Sequence, residues 1–227
     1  MMIQSADYIP HRKIGVAHRP IPISATLCVA DVSRVTGSRD PSCKNDRILL
    51  DKIYITHNKT TMNAALMASK WNDIISNPIF KQLPYKIELN GFGQILMSPA
   101  SNWHGITQFV VGDKLSKKLN KTKKHGTIIV ECSMLTRDGI RVADVAWASD
   151  AFMKIYGDQT PYIKAPDICV EVVSPGNSIE EIDGRVSLYL EKGAVEVWIV
   201  EKDKKHRIFT HVGQVKESGI APGITLI

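Results

Sequence analysis

The chain has 227 residues, 44% hydrophobic and 23% charged, with a net charge of +6; that is the make-up of a globular protein with one large core or two small ones. It holds no apolar run of the ~18 residues a membrane-spanning helix needs, and Met1 to Asp7 lacks the charged and apolar blocks of a secretory leader. Cys28, Cys43, Cys132 and Cys169 show no close pair spacing, so neither a zinc site nor a disulfide framework is expected, and a reducing cytoplasm is the expected location.

Residues 1–61 carry nine Lys or Arg against five Asp and no Glu, whereas residues 62–227 carry 20 against 18. The first glutamate of the chain is Glu88. Scattered prolines (10, 20, 22, 41) and weak periodicity mark residues 1–61 as an irregular or poorly ordered extension outside a domain at 62–227. A basic arm that touches nucleic acid is the other reading of the same composition. From Asn63 to Ile75, the apolar positions Leu66, Trp71, Ile74 and Ile75 predict a short helix ended by Asn77-Pro78. Tyr85 to Leu89 and Gln94 to Met97 read as two strands around Asn90-Gly91-Phe92-Gly93, a hairpin that carries Glu88.

A helix is expected from about His104 to Leu119 with Ile106, Phe109, Val110 and Leu115 on its apolar side. Lys114, Lys117, Lys118, Lys121, Lys123 and Lys124 crowd its end. Such lysines either contact DNA phosphates or complement the helix dipole as a solvated face. Thr127 to Cys132 predicts a strand, and Arg137-Asp138-Gly139 turns it back into Arg141 to Ser149. Residues 150–165 show little pattern beyond one turn of helix at Phe152, Ile155 and Tyr156. Beyond the strand at Asp167 to Ser174, Ser178-Ile179-Glu180-Glu181 is a capping box. It opens a helix with Ile179, Ile182, Val186, Tyr189 and Leu190 on one stripe and Gly193 past its end. Val195 to Glu201 and Arg207 to Val212 are further strands, the first parallel to the Glu171 strand because a helix joins them.

Two of these strands each hold a single acid among small and apolar neighbours: Asp144 in Arg141 to Ser149, and Glu171 in Asp167 to Ser174. An unpaired carboxylate in a buried strand costs several kcal/mol or takes up a proton. Two such acids on neighbouring strands are how a hard divalent cation is held, and carboxylate oxygens favour Mg²⁺ or Mn²⁺. Strand alternation places Val142, Ala146 and Ala148 on the Asp144 face and Val173 on the Glu171 face. Arg185, on the flank of the following helix, either reaches over the sheet to the acids, where it would stabilise transition-state charge, or pairs with Glu181 four residues before it.

The succession Tyr85-Lys86-Ile87-Glu88-Leu89-Asn90, Met97-Ser98-Pro99, Asp144-Val145, Glu171-Val172-Val173-Ser174-Pro175, Tyr189 and Gly193-Ala194-Val195-Glu196-Val197-Trp198 resembles the Uma-two family of proteins described as putative restriction endonucleases. The resemblance covers residues 62–227 and none of 1–61. It implies the PD-(D/E)XK nuclease fold, an α/β (α+β) restriction-endonuclease-like core in αβββαβ order with a mixed sheet flanked by helices, preceded here by a β-hairpin. It implies that Asp144, Glu171 and Glu88 bind Mg²⁺ (or Mn²⁺) and that DNA is the substrate. A homodimer fits an enzyme that cuts both strands, and no membrane or small-molecule cofactor is implied. Val173 stands where the superfamily's E-x-K lysine would be; the family's lysine has typically moved to the next helix, where this chain has Arg185. Ala143 replaces the proline that often precedes the first acid. His104 follows a loop where relatives often carry a histidine, and starts the helix or lines the site. The expected activity is Mg²⁺-dependent cleavage of DNA phosphodiesters; the alternative is a catalytically weakened member that binds nucleic acid or a partner.

Overall fold

The computed structural model describes residues 61–227 apart from 100, 175, 203, 204 and 227; residues 1–60 of the expected extension lie outside the described residues. The order is α1 (Ala64–Ser76), α2 (Pro78–Lys81), β1 (Tyr85–Leu89), β2 (Ile95–Pro99), α3 (Asn102–Lys121), β3 (Gly126–Thr136), β4 (Gly139–Ser149), α4 (Asp150–Tyr156), β5 (Ile168–Val172), α5 (Ile179–Glu191), β6 (Glu196–Val200), β7 (His206–Thr210) and β8 (Gly213–Val215). The strands form one mixed eight-stranded sheet in the order β2-β1-β4-β5-β6-β7-β8, with β3 on β4. The β5–β6 pair is parallel, as the helix crossover requires.

Local chemistry sets the helix ends. The side chains of Asn63, Ser101 and Ser178 cap α1, α3 and α5 by accepting the N–H of Leu66, His104 and Glu181. Gly193, at φ 99, supplies the left-handed residue that ends α5. The apolar stripe of α5 buries Ile182, Val186 and Tyr189 against β4, β5 and β6, and each large side chain so buried contributes about 1.5–3 kcal/mol. On the other face, Val111, Leu115 and Leu119 of α3 pack on Val145, Trp147, Val170 and Trp198.

The buried face of α3 differs from the expected one. Ile106 and Phe109 are 63% and 74% exposed, and the helix turns Thr107, Gln108, Val111, Gly112, Leu115 and Leu119 inward. The reason is Gly112, where a Cβ would sit 3.2 Å from Ile128 Cγ2. Without one, the helix backbone approaches β3 and β4 closely along the line through Gly112. Likewise Leu66 is exposed and Met67 takes the core position on α1. The expected single turn after β4 is the seven-residue helix α4.

The feature that positions the site is a fork. β3 pairs with β4 along its length, from Gly126↔Ser149 to Thr136↔Gly139, so β1 and β5 must share the other edge of β4. β1 meets it at Ile140, and β5 meets it from Val145 to Trp147. Continued by one more pair, the β4–β5 register would set Asp144 opposite Glu171, but it stops at Val145↔Val170. The N–H of Val172 instead donates to Asp144 Oδ2 at 2.6 Å. Strand alternation also shifts there: Ala143, Ala146 and Ala148 belong to the core under α5, while Val142 joins that of α1. The expected common face of Val142, Ala146 and Ala148 therefore does not hold.

Candidate active site

Asp144 is fully buried at the fork and is held from several sides. Its Oδ2 takes the Val172 N–H, and its Oδ1 takes Lys86 Nζ at 2.7 Å and His104 Nε2 at 3.0 Å. Gln108 Nε2 lies 3.4 Å from the same oxygen. Lys86 comes from β1, which fills the space that β5 leaves beside β4, and its ammonium also lies 3.7 Å from Glu171 Oε2. One compact cation thus faces both strand acids. His104, in the first turn of α3, contacts Ser174 Oγ with its other ring nitrogen at 3.3 Å, so it lines the site as well as starting the helix.

Glu171 is bound by α5. The buried Tyr189 hydroxyl donates to its Oε1, and Arg185 Nη1 lies 3.4 Å from the same oxygen. Arg185 makes its best contacts with Glu88: Nη1 to Oε1 at 2.8 Å and Nη2 to Oε2 at 2.7 Å, a bidentate pair. Glu88 Oε1 also accepts the Val142 N–H at 2.8 Å. Arg185 thus reaches the acids and also approaches Glu181, its Nη2 lying 3.4 Å from Glu181 Oε1.

Charge follows from this packing. Burial would raise Asp144, but Lys86 and His104 hold its carboxyl well below the usual range. Burial prevails at Glu171 over Lys86 and Arg185, with Asp144 and Glu88 adding to it, so that Glu171 titrates above the usual range. The two acids are thereby split. Burial alone would lower Lys86 and Arg185; the surrounding carboxylates raise both, and both stay protonated. Glu88 is lowered, since Arg185 overcomes the effect of its burial. The hydrogen bond to Asp144 raises His104.

A cavity of about 460 Å³ opens over these groups, with Lys86, His104, Asp144, Glu171 and Arg185 in its wall. The structure therefore brings together Asp144, Glu171, Arg185, Glu88 and His104, all legible in the sequence, and adds Lys86, which sequence reasoning passed over. The available signal was spacing: Lys86 lies two residues before Glu88 in one strand, hence on one face. Asp144 and Glu171 offer hard carboxylate oxygens to either side of the Lys86 ammonium. Among the described residues no group of three His, Cys, Asp or Glu side chains is set to hold a metal ion. Glu88 has both oxygens occupied by Arg185. The lysine tract lies along α3 away from the acids; by helix rise, Lys114 is about 15 Å and Lys121 about 25 Å beyond His104. Lys117 pairs with Asp113 at 2.8 Å, and Lys124 holds the carbonyl of Ile220 at 2.6 Å.

A family model, described as "Uma2: Putative restriction endonuclease", matches residues 78–226. Among solved structures, the chain is similar to a crystal structure described as a putative nuclease belonging to DUF820 from Anabaena variabilis ATCC 29413. The TM-score is 0.47 and the identity 16%, over 60% of this chain and 83% of that one. No curated protein matches. Among the described residues, no helix is long and apolar enough to cross a membrane.

Proposed function

Since the chain belongs to the Uma2 family of proteins described as putative restriction endonucleases, we propose that it is a divalent-metal-dependent DNA endonuclease whose site is the fork at Asp144 and Glu171, within a nuclease domain spanning residues 62–227. The observation that carries this is the Lys86 ammonium, 2.7 Å from Asp144 and 3.7 Å from Glu171. Two buried strand acids thus face one cation, and a metal held between them would take the place of that ammonium. Asp144 and Glu171 would hold Mg²⁺ or Mn²⁺, with water and phosphate oxygens completing the shell. A bound metal supplies Lewis-acid polarisation of the phosphodiester and activation of water.

The chain's own residues do the rest. Lys86 provides the compact ammonium that Val173 does not; yielding the space between the acids to the metal, it stays protonated, orients the attacking water and neutralises phosphate charge rather than acting as base. Arg185, anchored by Glu88, presents a fixed guanidinium to the charge that builds in the transition state. Glu88 serves here as the anchor of Arg185 and not as a third metal ligand. His104 and Val172 fix the Asp144 carboxylate, and Lys114, Lys118 and Lys121 meet flanking phosphates.

The test is cleavage of plasmid and oligonucleotide DNA with Mg²⁺ or Mn²⁺. Asp144→Ala should abolish cutting and Lys86→Ala should slow it about a hundredfold, the typical worth of one placed electrostatic donor. Unchanged rates in both would overturn the proposal. A second reading, DNA binding without cleavage, draws on the occupation of Asp144 by Lys86 and His104. It predicts that wild type binds DNA and cuts none with either metal.

A further inference from the structure

A second cavity, of about 430 Å³, adjoins the acid cleft, with Lys86, Ser98, Pro99, Ser101, His104 and Ser174 in the walls of both. Its remaining wall has a different chemistry. Trp71, Tyr85, Leu83, Pro84 and Ile87 form an apolar side, and Gln108 and Glu131 a polar edge. We propose that this compartment takes one nucleobase, so that the DNA cut here presents an unpaired nucleotide beside the scissile phosphate. The inference rests on the nuclease reading and adds the class of substrate.

Three observations carry it. The cavity has the size of a pocket for one small ligand, and a base can enter such a side compartment only by leaving the stack. Rings and prolines offer flat apolar surface on which any base can stack. Gln108 is pinned through Nε2, 2.5 Å from Glu131 Oε1 and 3.4 Å from Asp144 Oδ1. No donor among the described residues engages its carbonyl oxygen, which suits the amino edge of a base.

The backbone is shaped to the same end. Glu131 lies opposite Asp144 between the pairs Val130↔Val145 and Cys132↔Ala143, and it adopts φ 54, a left-handed conformation rare for a side-chain-bearing residue. Such strain is concentrated at functional positions. Here it sets the Glu131 carboxylate against Gln108 in the cavity wall, one strand away from the acid.

The test measures affinity of the full chain, with EDTA present, for three fluorescent oligodeoxynucleotide probes of one sequence: single-stranded, fully paired, and paired with one unpaired nucleotide. The unpaired probes should bind at least tenfold more tightly than the full duplex. Tyr85→Ala, at a residue 44% exposed and outside the acid cleft, should remove most of that preference and leave duplex binding unchanged. An abasic site at the unpaired position should mimic Tyr85→Ala without any change to the protein. Equal affinity for all probes, or a preference that survives both the abasic site and Tyr85→Ala, overturns the compartment while leaving the nuclease reading intact. Failure to bind or cut any DNA overturns the nuclease reading and the compartment with it.

Discussion

Lys86 and Arg185 divide the cationic work among the three acids. Arg185 spends its bidentate geometry on Glu88, and Lys86 places a point charge between Asp144 and Glu171. The two are not interchangeable: only a planar fork grips both Glu88 oxygens. Removing Arg185 leaves the buried Glu88 carboxylate with only the Val142 N–H at 2.8 Å and the more distant Arg141 Nη1 at 3.9 Å. Arg185→Ala should therefore cost about 3–5 kcal/mol in urea unfolding, and adding Glu88→Gln should recover part of that loss. Full stability in the single mutant would show that Arg185 is not what holds the Glu88 charge, Arg141 or solvent sufficing. A second prediction concerns Cys132, whose thiol burial pushes from an ordinary 9.0 up to about 12. The folded form keeps the thiol where the unfolded chain ionises. Its contribution is complete below pH 9.0 and is lost as pH rises toward about 12. Cys132→Ala should flatten that part of the stability–pH curve. Native Cys132 and Cys169, both buried, should resist alkylation at pH 8 and react once unfolded, as mass spectrometry of the peptides would show.

At the scale of elements, α3 ties the acid site to the lysine tract. It delivers His104 to Asp144 at one end, and just past its other end Lys124 holds the Ile220 carbonyl of the C-terminal tail. Its position is set by the close approach at Gly112, 3.2 Å from Ile128 for an added Cβ. Gly112→Val should push the helix off β3 and β4 and cost about 1–3 kcal/mol, as overpacking does. It should also lower cleavage at a metal concentration that saturates wild type, because His104 moves with the helix. The tail itself is held by the buried Glu196, which accepts from Ser218 Oγ at 2.7 Å and from the N–H of Gly219 at 2.7 Å and Ile220 at 3.0 Å. Most helix and strand positions were legible because caps and turns are local: Ser178 and Gly193 bound α5, and Asp138-Gly139 turns β3 into β4. The inward face of α3 was not legible from its apolar residues, because the approach at a glycine decided it and left Ile106 and Phe109 in solvent.

For the whole molecule, the charge on α3 gives the proposed DNA binding a salt-dependence test. If Lys114, Lys118 and Lys121 meet phosphates, replacing all three by Ala should make the slope of log affinity against log salt shallower by about 2–3, close to 0.9 per contact. An unchanged slope would assign them to a solvated face. Metal binding should raise the melting temperature in wild type and not in Asp144→Ala, since a ligand specific to the folded form stabilises it by mass action. The lone acids Asp144 and Glu171 were visible in sequence because a carboxylate in an apolar strand demands a partner whatever the fold. The partner itself was not. Lys86 is one of many lysines in the chain, and only the fork of the sheet brings β1 alongside β4 where β5 leaves it. The strand acids, the helix caps and the family can be read from the chain, because these depend on residues that are neighbours along it. Which cation faces which acid is a property of the folded sheet, because it depends on where two strand ladders part.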